Sequence, residues 1–118
     1  MSWEIILTPE VHEWFLGLDD TSASLVRDAV ELLADQGPTL GRPAVDRIHG
    51  SQLHNLKELR PGSSGRSEIR ILFDVRRQAV LLMAGDKAGN WDGWYRDAIK
   101  LSEERYERYL ETPSEEIE

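Results

Sequence analysis

The hydrophobic positions of the first forty residues predict a strand followed by two helices. Residues 3–7 form a short apolar run of strand length, and Thr8, Pro9 and Glu10 then supply a cap residue, a first-turn proline and a first-turn acid for a helix. Apolar side chains recur at helical spacing through two successive segments, and residues 19–22 between them offer new cap residues. Gly37, followed by a proline, stops the second segment. The pattern therefore predicts a helical hairpin.

The second half of the chain alternates as β-strands do. Residues 68–75 place every second side chain on an apolar face, residues 79–84 are apolar throughout, and residues 53–60 alternate least clearly. Turn-like segments join these three candidates, which favours an antiparallel meander. Residues 92–111 predict a last helix, whereas the Gly- and Pro-rich residues 37–52 read as an exposed connection.

The order β-α-α-β-β-β-α predicts an α+β fold. We expect a small, mainly antiparallel sheet of about four strands, with the N-terminal hairpin on one face and a C-terminal helix. We expect one domain over residues 1–111 and a disordered acidic tail over residues 112–118. The predicted core contains Trp14, Phe15, Leu18, Ala29, Leu33, Ile71, Phe73, Leu81 and Met83.

Composition excludes several classes of protein. A chain of 118 residues with no cysteine has neither a disulfide framework nor a thiolate metal site. His12, His49 and His54 lack the spacing of a metal site, so we expect no metal and no cofactor. No apolar run reaches membrane-spanning length and no basic leader precedes one, so we expect a cytoplasmic protein without membrane contact.

Charge is unevenly distributed along the chain. The net charge is -8, but residues 42–100 carry eleven basic and seven acidic side chains, while residues 1–41 and 101–118 are both strongly acidic. Either the helices collect acids on solvated faces while the strands collect arginine, or the central segment forms a site for an anionic ligand. We expect the acids on the helical side and the basic residues opposite it or at one edge.

Four cations fall on or beside the predicted meander. Lys57, Arg60, Arg70 and Lys87 could converge on one surface, although Lys57 and Arg60 would point to opposite faces unless their strand ends or bends. Arg70 could instead be a solvated partner of Asp74.

Two tryptophans open the last helix beside Lys87. For Trp94 we expect core packing, whereas Trp91 in the loop is better placed to stack on a base.

Together these segments resemble a known family. The element order, the stretch 54–60 (HNLKELR), the strand 69–73 (IRILF) and the segment 80–87 (VLLMAGDK) followed by Trp94, Tyr95 and Arg96 are similar to the RelE/ParE toxin superfamily, most of all its HigB-type branch. The resemblance covers residues 3–110.

The resemblance implies a bacterial type II toxin that cuts mRNA in the ribosomal A site and is neutralised by an antitoxin, typically a helix-turn-helix protein. By position it implies catalytic roles for Lys57, Arg70, Lys87 and Tyr95, with His54 beside them, and it implies RNA contacts by a second set of residues. That second set is Arg60, Arg66, Trp91 and Arg96.

The implied chemistry needs no metal, because the ribose 2′-hydroxyl itself attacks the adjacent phosphate. Arg70 and Lys87 would stabilise charge, Tyr95 would orient the reacting groups, and either Lys57 or His54 would be the general base. Two alternatives remain: a ParE-like gyrase inhibitor without nuclease activity, and an inactive interaction protein of the same fold. We expect the last if Lys57, Arg70 and Lys87 lie far apart or are each neutralised by a carboxylate such as Asp74 or Asp86.

Overall fold

The computed structural model describes residues 3–62, 65–75 and 78–111. The predicted tail, residues 112–118, lies outside the described residues. Five strands and three α-helices follow in chain order, with one turn of 3-10 helix (Gly37–Thr39) after the second helix. Their bounds are β1 Ile5–Leu7, α1 Pro9–Leu16, α2 Asp20–Gln36, β2 Val45–Arg47, β3 Leu56–Leu59, β4 Ile69–Asp74, β5 Ala79–Asp86 and α3 Trp91–Glu111.

The predicted α+β class is confirmed, and the sheet contains one strand more than expected. The additional strand is β2, which lies inside the segment 37–52 that we expected to be an exposed connection. Three residues are too few to show alternation, and the glycines and prolines around them are typical of loops. Val45 is nevertheless buried and pairs with Leu59 of β3.

The strand order is β1-β5-β4-β3-β2, with β1 parallel to β5 and every other pair antiparallel. Thr8 secures the junction of β1 with α1. We expected it to cap the helix, but its side chain makes no capping hydrogen bond. Its backbone N–H and its hydroxyl both donate to the carbonyl of Leu81 in β5, at 3.1 and 2.9 Å.

Helices cover both faces of the sheet. Ile71, Phe73 and Leu81 face the α1–α2 hairpin, whereas Leu72 and Leu82 face α3. The predicted core is confirmed: Leu33 and the three residues facing the hairpin are buried, and the others pack partly buried against one of the two clusters. The acidic helices therefore share no common side, so the expectation that basic residues lie opposite the helices is wrong. A gathering of basic residues at one edge of the sheet stays a prediction.

A β-bulge adjusts β5 to the helix above it. Leu72 pairs with Met83 but Phe73 pairs with Leu81, which leaves Leu82 as the extra residue. The carbonyl of Leu82 accepts a hydrogen bond from Nη1 of Arg105 in α3 at 2.9 Å. The bulge is thus stabilised by the helix that it faces.

An ion pair links α1 to the end of α3, and it should make stability depend on pH. Arg108 donates to both carboxylate oxygens of Glu10 at 2.6 Å, and these bonds lower the pKa of Glu10 from 4.5 to about 2. Because the pKa of Glu10 is lowered on folding, the ion pair stabilises the folded protein fully at pH values above 4.5. This stabilisation is lost as the pH falls through about 2. Both groups are partly exposed, so we expect Arg108→Ala to cost about 1 kcal/mol or less at pH 7.

Urea denaturation of wild type and Arg108→Ala at neutral and strongly acidic pH measures this contribution. The difference in unfolding free energy should shrink in acid. Lys100→Ala, which removes an exposed cation from the same helix, should show no such pH-dependent difference. An Arg108→Ala effect that is equal at both pH values would contradict the assignment.

Candidate functional site

A buried carboxylate, that of Glu58, lies at the centre of the candidate site. Glu58 is only 3% exposed. In the register of β3 it is opposite Asp46 of β2 on one side and Leu72 of β4 on the other, so it faces α3. A carboxylate withdrawn from water is costly unless charged or hydrogen-bonding partners surround it.

Those partners come from two strand regions and the last helix. Arg60 donates to Oε2 of Glu58 through Nε and Nη2, at 3.0 and 2.7 Å, and its Nη2 also donates to Asp46 at 3.1 Å. The Tyr95 hydroxyl donates to Oε1 at 2.6 Å, and Nε of Arg70 lies 3.9 Å from the same oxygen. We call the set Glu58, Arg60, Arg70, Lys87 and Tyr95 the Glu58 cluster.

Arg70 is held in place but keeps a free donor. Its side chain is 14% exposed, and Nη1 donates to the carbonyl of Ile69 at 2.8 Å. Its Nε is buried and has no hydrogen-bond partner among the described residues. An arginine with a free, desolvated N–H can bind an incoming anion strongly.

Lys87 lies beneath an aromatic surface. It is 2% exposed, and its Nζ lies 3.0 Å from the ring centroid of Trp91 and 5.2 Å from that of Tyr95. Burial, and then the nearby charge of Arg70, lower its pKa. The outer ring, Trp91, is 52% exposed, so an aromatic face remains open to solvent above a buried cation.

Tyr95 connects the carboxylate to the helix. Burial, followed by the hydrogen bond to Glu58, raises the pKa of Tyr95 to about 12, so the hydroxyl stays protonated at neutral pH. Trp94 packs edge-on against it at 5.1 Å. The close approach of α3 requires Gly85, because a Cβ there would lie 2.9 Å from Nε1 of Trp94. Gly85 is the cross-strand partner of Arg70, so this contact brings the helix to the site.

The structure brings together most of the residues predicted from the sequence. Arg60, Arg70, Lys87 and Tyr95 form the cluster with Glu58, and Trp91 joins them through Lys87. Two further predicted RNA contacts, Arg66 and Arg96, are exposed.

Lys57 and His54 lie elsewhere. They line a separate cavity of about 340 Å³. Lys57 pairs with Phe73, which faces the hairpin, while the neighbouring Glu58 pairs with Leu72, which faces α3. Successive strand residues point to opposite faces, so Lys57 does not join Arg70 and Lys87 on one surface, an arrangement that the sequence had left possible.

The neutralising carboxylate also differs from those we expected. Arg70 lies beside Glu58 rather than being paired with Asp74, and Asp86 accepts backbone N–H groups of Glu68 and Ala88 at 2.9 Å. Sequence reasoning missed Glu58 although a signal existed. Glu58 and Arg60 are two residues apart, so a regular strand places them on one face.

The described residues contain neither a cluster of metal ligands nor a membrane-spanning helix. Nowhere in residues 3–62, 65–75 and 78–111 do three or more His, Asp or Glu side chains gather as a metal site would require. Over the same ranges, every helix is too short or too polar to cross a membrane.

The sequence was compared with protein families and with known proteins. A family profile described as "Phage derived protein Gp49-like" matches residues 13–107. The chain belongs to the Gp49-like family. Two relatives from Mycobacterium tuberculosis carry the names "Putative toxin HigB3" and "Putative toxin HigB2". The first is 48% identical over 90% of this chain and 92% of its own length, and the second is 50% identical over 85% of this chain and 51% of its own length.

The fold of this Gp49-like protein is also found in E. coli toxin RelE. A solved structure of a double arginine-to-alanine mutant of RelE in the free state superimposes with a TM-score of 0.62, covering 85% of this chain and 97% of RelE at 13% identity. The predicted resemblance to the RelE/ParE superfamily and its HigB-type branch is confirmed. At this identity the RelE match establishes the fold alone.

The hydrogen bond from Tyr95 to Glu58 should contribute measurably to stability. Tyr95→Phe leaves a buried carboxylate oxygen without its donor, which costs about 1–3 kcal/mol. The pKa of Tyr95 is raised to about 12, so this contribution is complete below the ordinary value of 10.0 and is lost as pH rises through about 12.

Thermal or urea unfolding of wild type and Tyr95→Phe at several pH values between neutrality and pH 9 measures this contribution. The stability lost in Tyr95→Phe should be constant over that pH range. Tyr109→Phe is the matched control, because the Tyr109 hydroxyl accepts from the neutral amide of Gln78 at 2.6 Å. Its removal should cost less. Equal losses in the two variants would show that the Glu58 carboxylate does not depend on Tyr95.

Proposed function

We propose that this protein is the toxin of a toxin–antitoxin system and that it cuts mRNA on the ribosome without a metal ion. Its two close relatives are named as toxins, and the fold is that of the toxin RelE. The observation that carries the nuclease assignment is a buried ammonium, Lys87, close enough to feel the charge of Arg70, a guanidinium whose Nε has no hydrogen-bond partner among the described residues. The proposed partners are mRNA, the ribosome and a cognate, helix-turn-helix type antitoxin in the cytoplasm, with no cofactor.

The proposed reaction is an internal phosphoryl transfer. The 2′-oxygen of one ribose attacks the adjacent phosphorus while the bond from phosphorus to the 5′-oxygen breaks, which gives a 2′,3′-cyclic phosphate and a free 5′-hydroxyl. One proton leaves the 2′-hydroxyl and one joins the 5′-oxygen, and negative charge builds on the phosphoryl oxygens.

The Glu58 cluster contains a group for each requirement. The Arg70 guanidinium, whose side chain is 14% exposed, binds a phosphoryl oxygen. Lys87, whose pKa is lowered by burial, is a stronger acid than an exposed lysine and protonates the 5′-oxygen.

We assign the second proton transfer to Tyr95 and Glu58. As the Tyr95 proton moves along the 2.6 Å hydrogen bond to Glu58, the phenolic oxygen accepts the proton of the 2′-hydroxyl. Glu58 thereby replaces both bases considered from the sequence, Lys57 and His54, which line the other cavity.

The remaining predicted residues would bind RNA or position the site. The exposed ring of Trp91 is suited to stacking on a base, and Arg66 and Arg96 are exposed cations for phosphates. Arg60 is already held by Glu58 and Asp46, so we assign it to positioning Glu58 instead of binding RNA.

Two observations favour a second candidate, a protein of this fold that acts by binding alone. The first is that Lys57 lies on the opposite face of the sheet from Arg70 and Lys87, the separation for which we expected an inactive interaction protein. The second is that the Glu58 carboxylate lies against both Arg60 and Arg70, and the chain carries a net charge of -8. A gyrase inhibitor or an inactive interaction protein would need only the surface. The two candidates differ in whether the Glu58 cluster performs chemistry.

Removal of either central cation should abolish toxicity. We expect Arg70→Ala and Lys87→Ala to relieve growth arrest on induction and to reduce mRNA cleavage by about 10²–10³, because each removes one stabilising contact to the transition state. Primer extension on cellular mRNA, and cleavage by purified protein with ribosomes and chelator, give the readout.

Lys87 is buried, so the variants must first be shown to be folded by thermal unfolding. Lys100→Ala should retain full activity. Folded Arg70→Ala and Lys87→Ala proteins that cut at the wild-type rate would place the chemistry elsewhere. Growth arrest without mRNA cleavage, accompanied by gyrase inhibition, would favour the binding-only candidate.

The role of Lys87 as acid predicts the alkaline limb of the pH–rate profile. Burial and the charge of Arg70 lower its pKa, so its proton is lost, and the rate falls, below the ordinary lysine value of 10.5. Lys87→Arg keeps the charge but does not deprotonate in that range, so the variant should cut slowly without this limb. A wild-type limb that persists unchanged in Lys87→Arg would assign it to another group.

A further inference from the structure

Two like-charge pairs lie side by side across β2 and β3. In the antiparallel register Asp46 is opposite Glu58, and the next pair along is Arg47 opposite Lys57. Directly opposed residues have their Cβ atoms about 5 Å apart, and like charges there are destabilising. Consecutive pairs point to opposite faces of the sheet, so each needs its own counter-charge.

On the face toward α3 the chain supplies that counter-charge itself. Arg60 donates to Asp46 at 3.1 Å and to Glu58 at 2.7 Å through the same Nη2. Two carboxylates are thus bridged by one guanidinium. The acidic pair is complete without any ligand.

On the other face no counter-charge is provided among the described residues. Neither the Arg47 guanidinium nor the Lys57 ammonium takes part in any ion pair or hydrogen bond found in ranges 3–62, 65–75 and 78–111; Arg47 donates to Asp46 only through its backbone N–H. Arg47 and Lys57 line the cavity of about 340 Å³, together with His54, Asn55, Leu56 and Val75. None of these six residues is acidic.

From this arrangement we infer that the Arg47–Lys57 cavity binds a phosphate group of an RNA strand, at a site separate from the Glu58 cluster. The opposed cations supply the charge, and the Asn55 amide and His54 imidazole supply further N–H donors at the same cavity. The cavity has room for a phosphate and lies open at the sheet edge, where a strand of nucleic acid can pass. A phosphate between Arg47 and Lys57 would neutralise the two like charges, as Arg60 neutralises the carboxylates of Asp46 and Glu58 on the other face.

This inference extends the proposed function, since it gives the RNA a second anchor on the opposite face of the sheet from the chemistry. It predicts that Lys57 contributes to binding rather than to bond cleavage. It also accounts for a basic segment within an acidic chain, because part of that charge is unpaired and gathered at one place.

The first test uses inorganic phosphate and thermal unfolding. Phosphate should raise the Tm of the wild type above that in chloride of equal ionic strength, because a ligand that binds only the folded state stabilises it. Arg47→Ala and Lys57→Ala should each lose this shift, whereas Lys100→Ala should keep it. No phosphate-specific shift in the wild type, or an equal shift in Arg47→Ala, would overturn the site.

A charge reversal at Lys57 should change the Tm without phosphate and the Tm shift caused by phosphate in opposite directions. Lys57→Glu should raise the Tm in the absence of phosphate by about 1–5 °C, because it turns a repulsive cross-strand pair with Arg47 into an attractive one. The same variant should lose the phosphate-dependent shift. A lower Tm together with a retained phosphate shift would contradict the proposed repulsion and the proposed site.

The second test separates an RNA phosphate from a free one. A fluorescent 2′-O-methyl oligonucleotide, which lacks the attacking hydroxyl, is titrated in an anisotropy assay over a salt series. Arg47→Ala should weaken binding and reduce the slope of log K against log salt by about one. The same loss on Arg47→Ala should appear in an Arg70→Ala background, in which cleavage is strongly reduced. Binding that is insensitive to Arg47→Ala, with phosphate still stabilising the wild type, would assign the cavity to a free phosphate and overturn the RNA anchor.

Discussion

The burial of one carboxylate, that of Glu58, determines how this sheet and its last helix fit together. A group this deeply withdrawn from water requires partners, and they come from the end of β3, from β4 and from the start of α3. Removing one partner of a buried charge costs more than the pair contributes, because the remaining charge is left uncompensated. The contacts that fix the start of α3 against the sheet are therefore among those that build the candidate site, and Gly85 is required by both.

The sequence predicts the elements whose side-chain pattern is long enough to repeat. Residues 69–75 alternate clearly and α1 and α2 show helical spacing, so their existence and facing could be predicted. Strand β2 could not be, since three residues carry no periodicity. The bulge at Leu82 could not be predicted either. Every residue around it is apolar, so a shift of register does not change the pattern of apolar and polar positions.

Part of the candidate site was predictable because the alternation of a strand fixes which side chains share a face. Strand alternation already places Lys57 and Arg60 on opposite faces, and the structure keeps them there. The two-residue spacing of Glu58 and Arg60 signalled their contact, whereas the approach of Arg70 to Glu58 depends on the register of β3 with β4, which local spacing does not encode. The resemblance supplied Arg70, Lys87 and Tyr95 from their order along the chain, but order alone does not show that a glutamate lies among them.

The acidic total of the chain does not conflict with a site for RNA, because charge acts locally. Lys87 and Arg70 are largely withdrawn from solvent, where the field of a cation is screened less than at the surface. Cations that would attract a strand of RNA over distance must be exposed and unpaired, and among the described residues Arg47, Arg66 and Arg96 have side chains that fit this description. Under the proposed function, association and chemistry would therefore be carried by different residues. Salt would weaken the first through screening, whereas the second depends on geometry that salt does not reach.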